Sequence, residues 1–401
     1  MNVQRVKYKY RVIDQRAGSD QPPLLAVSIH HGVVRRDTLT DDLPRAEDLS
    51  NYKLCELGDI VLNRMRAFQG AIGISPQRGL VSPDYAVLRP SPDVDARYLH
   101  HLFRSSWFVS EMVSRLRGIG NTENGAVRTP RINPEDLGDI PVDFPSLDEQ
   151  RRIADFLDAE TARIDQLIAA RRAQVARLGE LWDSRLAVAI DEQARIHGWI
   201  PLRRLVTSVE QGWSPQCDDA IAEPDEWAVL KTSAVSSGEF APMEHKRLPA
   251  DIEPDHRYQV RDGDILLTRG SGSPDHVGMA ALAKTGKRQL LLSDLLYRIR
   301  LGRDWSPEFV ALALRSKPVR GLMGLLFRGQ SGQTIKLRAE DIRSIDIPAV
   351  PATFQPKIAV ELSAEWTTIR GAGQNIEASL SLLTERRQAL ITAAVTGGIT
   401  V

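Results

Sequence analysis

One stretch constrains the fold of this chain more than any other, and it reads DEQRRIADFLDAETARIDQLIAARRAQVARLGELWDSRLAVAI over residues 148–190. It contains no Pro and one Gly, and it is rich in side chains that lose little conformational freedom in a helix. Apolar residues recur at steps of three, four and seven, on one helical face: Ile153, Leu157, Ile164, Ile168, Val175, Leu178 and Trp182. At 1.5 Å per residue this predicts a rod of about 60 Å, which needs a partner helix to bury its stripe.

A second copy of the pattern lies 205 residues further along the chain. Gln150 and Ile153 are matched by Gln355 and Ile358, and the apolar repeat continues to Leu390 in the same heptad register. The match extends outside the helices, where EDL at 135–137 corresponds to EDI at 340–342. This shared offset favours an internal duplication over two unrelated amphipathic helices.

The segments before each predicted helix also repeat. Residues 1–130 alternate short apolar runs with Gly, Pro and Asp, which indicates a mixed, mostly β domain, and residues 199–335 repeat that programme. The predicted strands of the first half are 24–34, 58–65, 71–75 and 85–90, followed by a helix at 96–117. In the second half, strands are predicted at 227–240 and 295–301, followed by a helix at 307–326, with GDI at 263–265 answering GDI at 58–60.

Composition is that of an ordinary soluble globular protein, with 42% hydrophobic and 26% charged residues. Lys plus Arg and Asp plus Glu balance at 52 each, so any nucleic-acid surface must come from local patches or from another subunit. Cys55 and Cys217 match no metal or redox spacing, which favours a reduced, cytoplasmic protein. No apolar run approaches 18 residues and no signal-peptide pattern begins the chain, so we expect no membrane association.

Catalytic patterns are few. The phosphate-loop, GxSxG, HExxH and GxGxxG patterns are all missing, and no metal site or cofactor is expected. One alternative remains, because Asp225, Glu244 and Lys246 have a loose spacing like that of metal-dependent nucleases, whose carboxylates hold Mg²⁺. A coiled-coil scaffold that binds only proteins is a further alternative.

The doubled architecture favours binding, because two similar domains on a two-helix rod form a pseudo-twofold reader of two separated targets. DNA is such a target, and its bases are read by Arg, Lys, Gln, Asn and Ser side chains at groove edges. The predicted DNA-contacting residues of the first half are Arg64, Arg66, Gln69, Arg78, Asn121 and Arg128. Those of the second half are Arg269, Ser271, Ser273, Lys284, Arg288, Gln330, Ser331, Gln333 and Lys336.

Two segments then resemble a known family. PSLDEQRRIADFLDAETARIDQLI at 145–168 and ERRQALITAAVTGGITV at 385–401 are similar to the conserved segments of specificity subunits of Type I restriction-modification systems. The second copy departs from the first, because Thr353 and Phe354 replace the acidic pair before Gln355, and Gly371 and Gly373 should weaken its helix locally.

The resemblance implies an α+β fold with two mixed, mostly β target recognition domains, joined by two long antiparallel helices that form a coiled coil. The expected divisions are recognition domains at 1–145 and 198–350 and helical segments at 146–197 and 351–401. It also implies a non-catalytic subunit that binds double-stranded DNA and reads a bipartite, asymmetric site, with the helices setting the spacer. The implied partners are two methylation subunits that use S-adenosylmethionine and an ATP-driven restriction subunit.

Overall fold

The structure is a computed structural model that describes residues 3–29, 31–40, 48–116, 130–329 and 335–401. The chain divides into two compact units, of which unit 1 comprises Met1–Arg172 with Glu377–Val401, and unit 2 comprises Ala173–Ile376. Each unit contains short strands, short helices and part of both long helices, which is the α+β class that the sequence predicted. The predicted four-part division of the chain stays a prediction.

The two units share much of their element order, although among the described residues unit 2 has one strand more than unit 1. The strands of unit 1 are β1 (Val3–Arg5), β2 (Tyr10–Ile13), β3 (Leu25–Ser28), β4 (Gly32–Arg35), β5 (Lys53–Cys55), β6 (Ile60–Asn63), β7 (Ile72–Ile74), β8 (Gly79–Val81), β9 (Tyr85–Pro90) and β10 (Pro141–Asp143). The strands of unit 2 are β11 (Trp199–Pro201), β12 (Val206–Gln211), β13 (Trp227–Leu230), β14 (His245–Arg247), β15 (Ile265–Thr268), β16 (Gly270–Ser271), β17 (Ala280–Leu282), β18 (Gln289–Leu291), β19 (Leu296–Leu301), β20 (Ile335–Lys336) and β21 (Asp346–Pro348). The helices are α1 (Ala96–Arg104), α2 (Ser106–Val113), α3 (Pro134–Gly138), α4 (Leu147–His197), α5 (Pro307–Arg315), α6 (Lys317–Gly324), α7 (Ala339–Ile342) and α8 (Gln355–Val395).

Equivalent four-stranded antiparallel sheets lie at the centre of the two units. Their strand orders are β2-β9-β6-β7 and β12-β19-β15-β17. In unit 1 Ile60 lies opposite Ile74 and Leu88, and in unit 2 Ile265 lies opposite Leu282 and Ile299. The duplicated sequence is therefore a duplicated topology, as the offset predicted.

Each sheet packs one face on a short helix pair. In unit 1 the strand residues Ile60, Leu62 and Leu88 share a core with α1 and α2. In unit 2 the corresponding strands share a core with α5 and α6. Both cores also take in residues of the long helices: Ile153, Leu157, Ile391 and Ala394 in unit 1, and Trp182, Leu186, Ala359 and Leu362 in unit 2. The two ends of the apolar stripe of α4 are thus buried in a domain core, one in each unit, whereas Ile168, Val175 and Leu178 between them are half-buried.

The long helices begin and end near the positions that the sequence predicted. Helix α4 has 51 residues and extends past residue 190 to His197, and α8 has 41 residues and continues through Gly371 and Gly373. Within unit 2 the two helices are antiparallel, because Trp182 packs on Trp366 and His197 stacks on Phe354. Arg185 and Glu365 form a bidentate ion pair in that unit, at 2.8 and 2.9 Å.

Two strand predictions were too long. The run at 24–34 is a hairpin rather than one strand, because β3 and β4 pair antiparallel and Gly32 takes a φ of 65° at the turn. The run at 227–240 forms β13 and then a short 3-10 helix at Thr232–Ala234. In both places an apolar stretch longer than a typical strand contains a reversal that the hydrophobic pattern does not reveal.

The single helix predicted at 96–117 is two helices with a break at Ser105. Ser105 has extended dihedrals, and its buried hydroxyl donates to the Leu102 carbonyl while it accepts from the Phe108 N–H. It therefore ends α1 and caps α2. The helix predicted at 307–326 breaks in the same way at Ser316, whose hydroxyl donates to the Ala313 carbonyl.

A buried glutamine lies at the start of each long helix. Oε1 of Gln150 accepts from the Asp95 N–H at 3.0 Å, and Nε2 donates to the carbonyls of Pro145 and Asp93 at 3.0 and 3.3 Å. Oε1 of Gln355 accepts from the Ser306 N–H at 2.8 Å. Because Asp95 and Ser306 are the N-cap residues of α1 and α5, each glutamine ties a long helix to the first turn of a short one.

Within the described ranges, the helices are all too short or too polar to cross a membrane.

Candidate nucleic-acid interface

The connection from β6 to β7 in unit 1 is bonded to a distant segment. The Ile132 N–H donates to the Arg64 carbonyl at 3.0 Å, and Nε of Arg64 donates to the Ile132 carbonyl at 3.2 Å. Arg64 also donates from Nη2 to Oδ1 of Asn133. We call residues 64–71 with 131–133 the loop junction of unit 1.

Unit 2 has the same junction, displaced by 205 positions. The Leu337 N–H donates to the Arg269 carbonyl at 2.9 Å, and the strands β16 and β20 pair antiparallel beside that bond. We call residues 269–279 with 335–337 the loop junction of unit 2. Two loops that the sequence could only identify separately therefore meet at one place on each unit.

Two equivalent glycines, Gly73 next to the junction of unit 1 and Gly278 within the junction of unit 2, permit a close approach of neighbouring segments. A Cβ added at Gly73 would lie 2.5 Å from the backbone N of Val33, and one added at Gly278 would lie 2.1 Å from Sδ of Met323. At Gly73 the close atoms belong to the backbone, so a side chain does not fit there. At Gly278 the close atom belongs to the Met323 side chain, and a φ of 69° disfavours a side chain in addition. The two glycines are 205 residues apart and hold the junctions against the hairpin β3-β4 and against α6.

The guanidinium groups of two predicted DNA-contacting residues form hydrogen bonds within their own units. Arg64 donates to the Ile132 carbonyl and to Asn133, and Nη1 of Arg269 donates to the Asp294 carbonyl at 3.4 Å. Both side chains are half-buried. The structure gives them a role in holding the junction, and a contact with DNA by either stays a prediction.

Other predicted residues lie on the exposed side of the junctions. Arg66 and Gln69 are exposed in unit 1, and Lys336 is exposed in unit 2, where Ser271 and Ser273 are half-buried. The Ser271 hydroxyl accepts from the Ser273 N–H at 3.2 Å. Each junction thus presents hydrogen-bonding side chains to solvent, but of different kinds in the two units.

Sequence reasoning missed one exposed cation, Arg131. It lies next to the buried Ile132, and it is the equivalent of Lys336 at the common offset of 205. The offset was therefore the signal that could have found it. Four predicted residues, Asn121, Arg128, Gln330 and Gln333, and Ser331 with them, lie outside the described residues.

Three predicted residues lie at the opposite end of the sheets. Arg78 follows β7 and pairs with Asp20 and Glu56, in the turn where the Gly58 N–H donates to the Ser75 carbonyl. The equivalent turn of unit 2 holds Lys284, which is exposed, and Arg288, whose Nη1 donates to the Ala222 carbonyl at 3.2 Å. The structure does not bring these three residues to the loop junctions.

A half-buried arginine holds the junction of unit 2 through backbone carbonyls. Arg320 of α6 donates to the carbonyls of Pro274 and Asp275 at 3.2 and 2.9 Å, and also to that of Val277. Burial lowers the pKa of Arg320, and the nearby Asp275 opposes that change.

In unit 1, burial raises the pKa of Tyr85, and the positive charge of Arg66 opposes that rise.

The three residues of the nuclease alternative are not gathered into one site. Glu244 lies at the end of β13, because it accepts hydrogen bonds from the Ser233 hydroxyl and the Lys231 N–H. Asp225 instead precedes the start of that strand. Four strand residues between them correspond to about 13 Å. Lys246 pairs with Asp219 at 3.4 Å. Among the described residues, no group of three or more His, Cys, Asp or Glu side chains could hold a metal ion.

Comparisons with known proteins agree with this arrangement. The family described as "Type I restriction modification DNA specificity domain" matches residues 36–177. The chain is 32% identical over 162 residues to the Type I restriction enzyme EcoEI specificity subunit of Escherichia coli, a match that covers 40% of this chain and 27% of that protein. It is 25% identical over 327 residues to the EcoKI specificity subunit of Escherichia coli strain K12, covering 78% of this chain and 68% of that one.

The fold is similar to that of a chain in the solved structure titled "Structural basis underlying complex assembly and conformational transition of the type I R-M system". The TM-score is 0.69 at 14% identity, over 99% of this chain and 98% of the other. The chain therefore shares the fold of that protein. Residues 36–177 thus match the specificity domain of Type I restriction-modification systems, and the chain is similar to the specificity subunits of such systems.

Proposed function

We propose that this chain reads a bipartite, asymmetric DNA site, one half at each loop junction. The proposal rests on one observation: the two junctions have equivalent hydrogen bonds but different side chains around them. Arg64 with Ile132 and Arg269 with Leu337 hold the two junctions by equivalent bonds, whereas the side chains around those bonds differ.

The exposed side chains suit base recognition. Arg66 and Gln69 on one junction match the hydrogen-bonding edges of guanine and adenine, which Arg and Gln contact in a bidentate manner. Ser271 and Ser273 on the other are less selective donors and acceptors. Two readers with unlike side chains read unlike half-sites, so the site is asymmetric.

The helices α4 and α8 serve as the ruler of the spacer in this proposal. Both contribute residues to both units, and each is anchored in a unit by a buried glutamine and by core packing. The chain carries no catalytic group of its own. Its partners are two methylation subunits, which modify adenine with S-adenosylmethionine, and a restriction subunit driven by ATP. The named relatives, specificity subunits of Type I restriction enzymes, support this assignment.

The test is the set of methylated sites in cells that carry the intact system. Wild type should methylate one bipartite motif. The double variant Arg66→Ala with Gln69→Ala should relax or change one half of that motif and leave the other half and the spacer as they were. Arg78→Ala, at the far end of the same sheet, is the matched control and should leave the motif unchanged.

Two results would reject the proposal. The first is methylation that follows no motif, and the second is an Arg66 and Gln69 variant that alters both halves equally. Sequence-selective protection of DNA by the assembled complex would exclude a scaffold that binds only proteins. DNA cleavage by the pure chain with Mg²⁺ that is lost in Glu244→Ala would favour the nuclease alternative.

A further inference from the structure

One exposed cation occupies the same position at the two loop junctions. In unit 2, Ile335 and Leu337 are 7% and 1% exposed, and Lys336 between them is exposed. In unit 1, Arg131 is exposed and the next residue, Ile132, is fully buried. Because side chains alternate across an extended chain, the buried neighbours direct Lys336 and Arg131 away from the core.

Backbone bonds fix both positions. Lys336 pairs with Gly270 of β16 on one side. On the other side it exchanges two hydrogen bonds with Arg328, at 2.9 and 2.8 Å. Arg131 directly precedes the Ile132 N–H that bonds to Arg64. The backbone at or next to each cation is therefore fixed by hydrogen bonds.

The pairing of Arg328 with Lys336 places two like charges opposite each other. Residues that exchange both hydrogen bonds have Cα atoms about 5.5 Å apart and side chains on one face. Like charges directly opposite in this way are destabilising. Gly270, the neighbour on the other side, adds no side chain to that face. An anion between the two cations would remove the repulsion, so this face is suited to a bound anion.

No internal partner neutralises these cations within the part of the chain that the structure describes. The side chains of Arg131, Arg328 and Lys336 make no hydrogen bond or ion pair there, whereas the nearby Arg338 pairs with Glu340 at 3.2 Å. Their charge is therefore available to a ligand.

Some positions carry the same kind of side chain at both junctions, whereas others differ between them. A cation stands at the position of Arg131 and Lys336 in both units, whereas the β6–β7 loop and its equivalent differ, with Arg66 and Gln69 against Ser271 and Ser273. The DNA backbone is the same at both half-sites and the bases are not. A residue type kept between two readers suits the invariant part of the ligand.

We propose that Arg131 in unit 1, and Lys336 with Arg328 in unit 2, bind backbone phosphates at equivalent points of the two half-sites. This rests on the proposed function. Guanidinium and ammonium groups form strong, charge-assisted hydrogen bonds with phosphate oxygens. Contacts of this kind position the protein on the duplex and carry no sequence information directly.

The test uses the specificity chain assembled with its methylation subunits. Binding is measured to a duplex with the methylated motif and to a scrambled duplex, over a range of KCl concentrations. Arg131→Gln and Lys336→Gln should each weaken binding to both duplexes by a similar factor. Each should also reduce the slope of log affinity against log salt by about one, as loss of one phosphate contact predicts. The methylated motif should be unchanged in both.

Matched variants control for fold and for charge. Arg131→Lys and Lys336→Arg should retain most of the affinity and the wild-type salt slope. Arg338→Gln removes an exposed cation two residues beyond Lys336 and should alter neither quantity. Thermal unfolding of Arg131→Gln should match wild type, since its side chain is exposed, and Lys336→Gln should be at least as stable as wild type, because it removes the repulsion with Arg328.

Two outcomes would overturn the proposal. One is a Gln variant that keeps wild-type affinity and salt slope, and the other is a Gln variant that changes the methylated motif, which would make its residue a base reader. A wild-type complex that binds both duplexes equally would instead reject the proposed function, whatever the variants do.

Discussion

Arg298 is a charged side chain that is almost completely buried, at 1% exposure. It donates to Glu210 at 2.9 and 2.5 Å and to the carbonyls of Gln259 and Arg257 at 2.6 and 2.8 Å, and it lies 3.5 Å from Asp264. Burial alone would raise the pKa of Glu210, but the Arg298 hydrogen bonds hold it below its ordinary value. The guanidinium thus joins two strands and the segment before β15.

Removal of that guanidinium should therefore be severe. Arg298→Met removes the buried guanidinium from Glu210, which keeps Ser208 and Arg300, and from two carbonyls, and we expect a loss of about 3 kcal/mol in the free energy of unfolding. Arg89→Met is the comparison in unit 1, where Arg89 pairs with Asp59 but is 37% exposed, so the loss should be smaller. Urea unfolding of the two variants measures both values. Equal losses would contradict this assignment.

His100 of α1 gives the chain a pH dependence. Burial, followed by the neighbouring Arg104, lowers the pKa of His100 to about 3, and its Nδ1 has no partner among the described residues. The unfolded chain takes up this proton near pH 6.5, whereas the folded chain does not. Stability is therefore complete above about pH 6.5 and is lost progressively as pH falls towards 3.

Substitution of His100 should flatten this dependence. His100→Leu removes a contribution of up to about 1.4 kcal/mol per pH unit between pH 3 and 6.5. Unfolding free energies measured at several pH values for wild type and variant test it, with His276→Leu as an exposed control. An unchanged slope in the His100 variant would refute the assignment.

At the scale of elements, the long helices depend on their first turns. Gln150 and Gln355 are each 1% exposed and satisfy both ends of the side-chain amide, so their loss leaves a buried N–H and a buried carbonyl unpaired in each unit. Both residues stand in the short motif that identified the duplication. Their role is structural, since they join the long helices to α1 and α5.

Gln150→Ala and Gln355→Ala should each lower the free energy of unfolding by about 1–3 kcal/mol, the usual cost of a buried polar group left unpaired. The exposed Gln166→Ala on α4 should change it by less than about 0.5 kcal/mol. Urea denaturation measures all three. If Gln150→Ala were as mild as Gln166→Ala, the side chain would not be what fixes α4 to α1.

For the whole molecule, the ruler proposal makes a quantitative statement about the spacer. Deletion of one heptad from α4 and one from α8 keeps the apolar stripe in register and shortens each helix by about 10 Å. At 3.4 Å per base pair, the spacer of the methylated motif should shrink by about three base pairs, with both half-sites unchanged. Methylome sequencing reads this directly, and an unchanged spacer would count against the ruler.

The sequence by itself determined the elements that depend on local pattern and on repetition. Heptad spacing indicated α4 and α8, and the offset of 205 indicated two units of one topology. These are short-range signals, because helix periodicity needs only residues three, four and seven positions apart. The same offset, read one residue at a time, would have added Arg131 to the predicted interface.

Only the tertiary structure decided which loops meet. Arg64 bonds to Ile132 across 68 positions and Arg269 to Leu337 across an equal gap, and no local pattern encodes such pairs. Antiparallel strands then placed Arg78 at the far end of the sheet from Arg66, although the two are close in sequence. Hydrogen bonds and sheet direction, which are fixed only on folding, thus separated the residues that hold the loop junctions from those that face solvent.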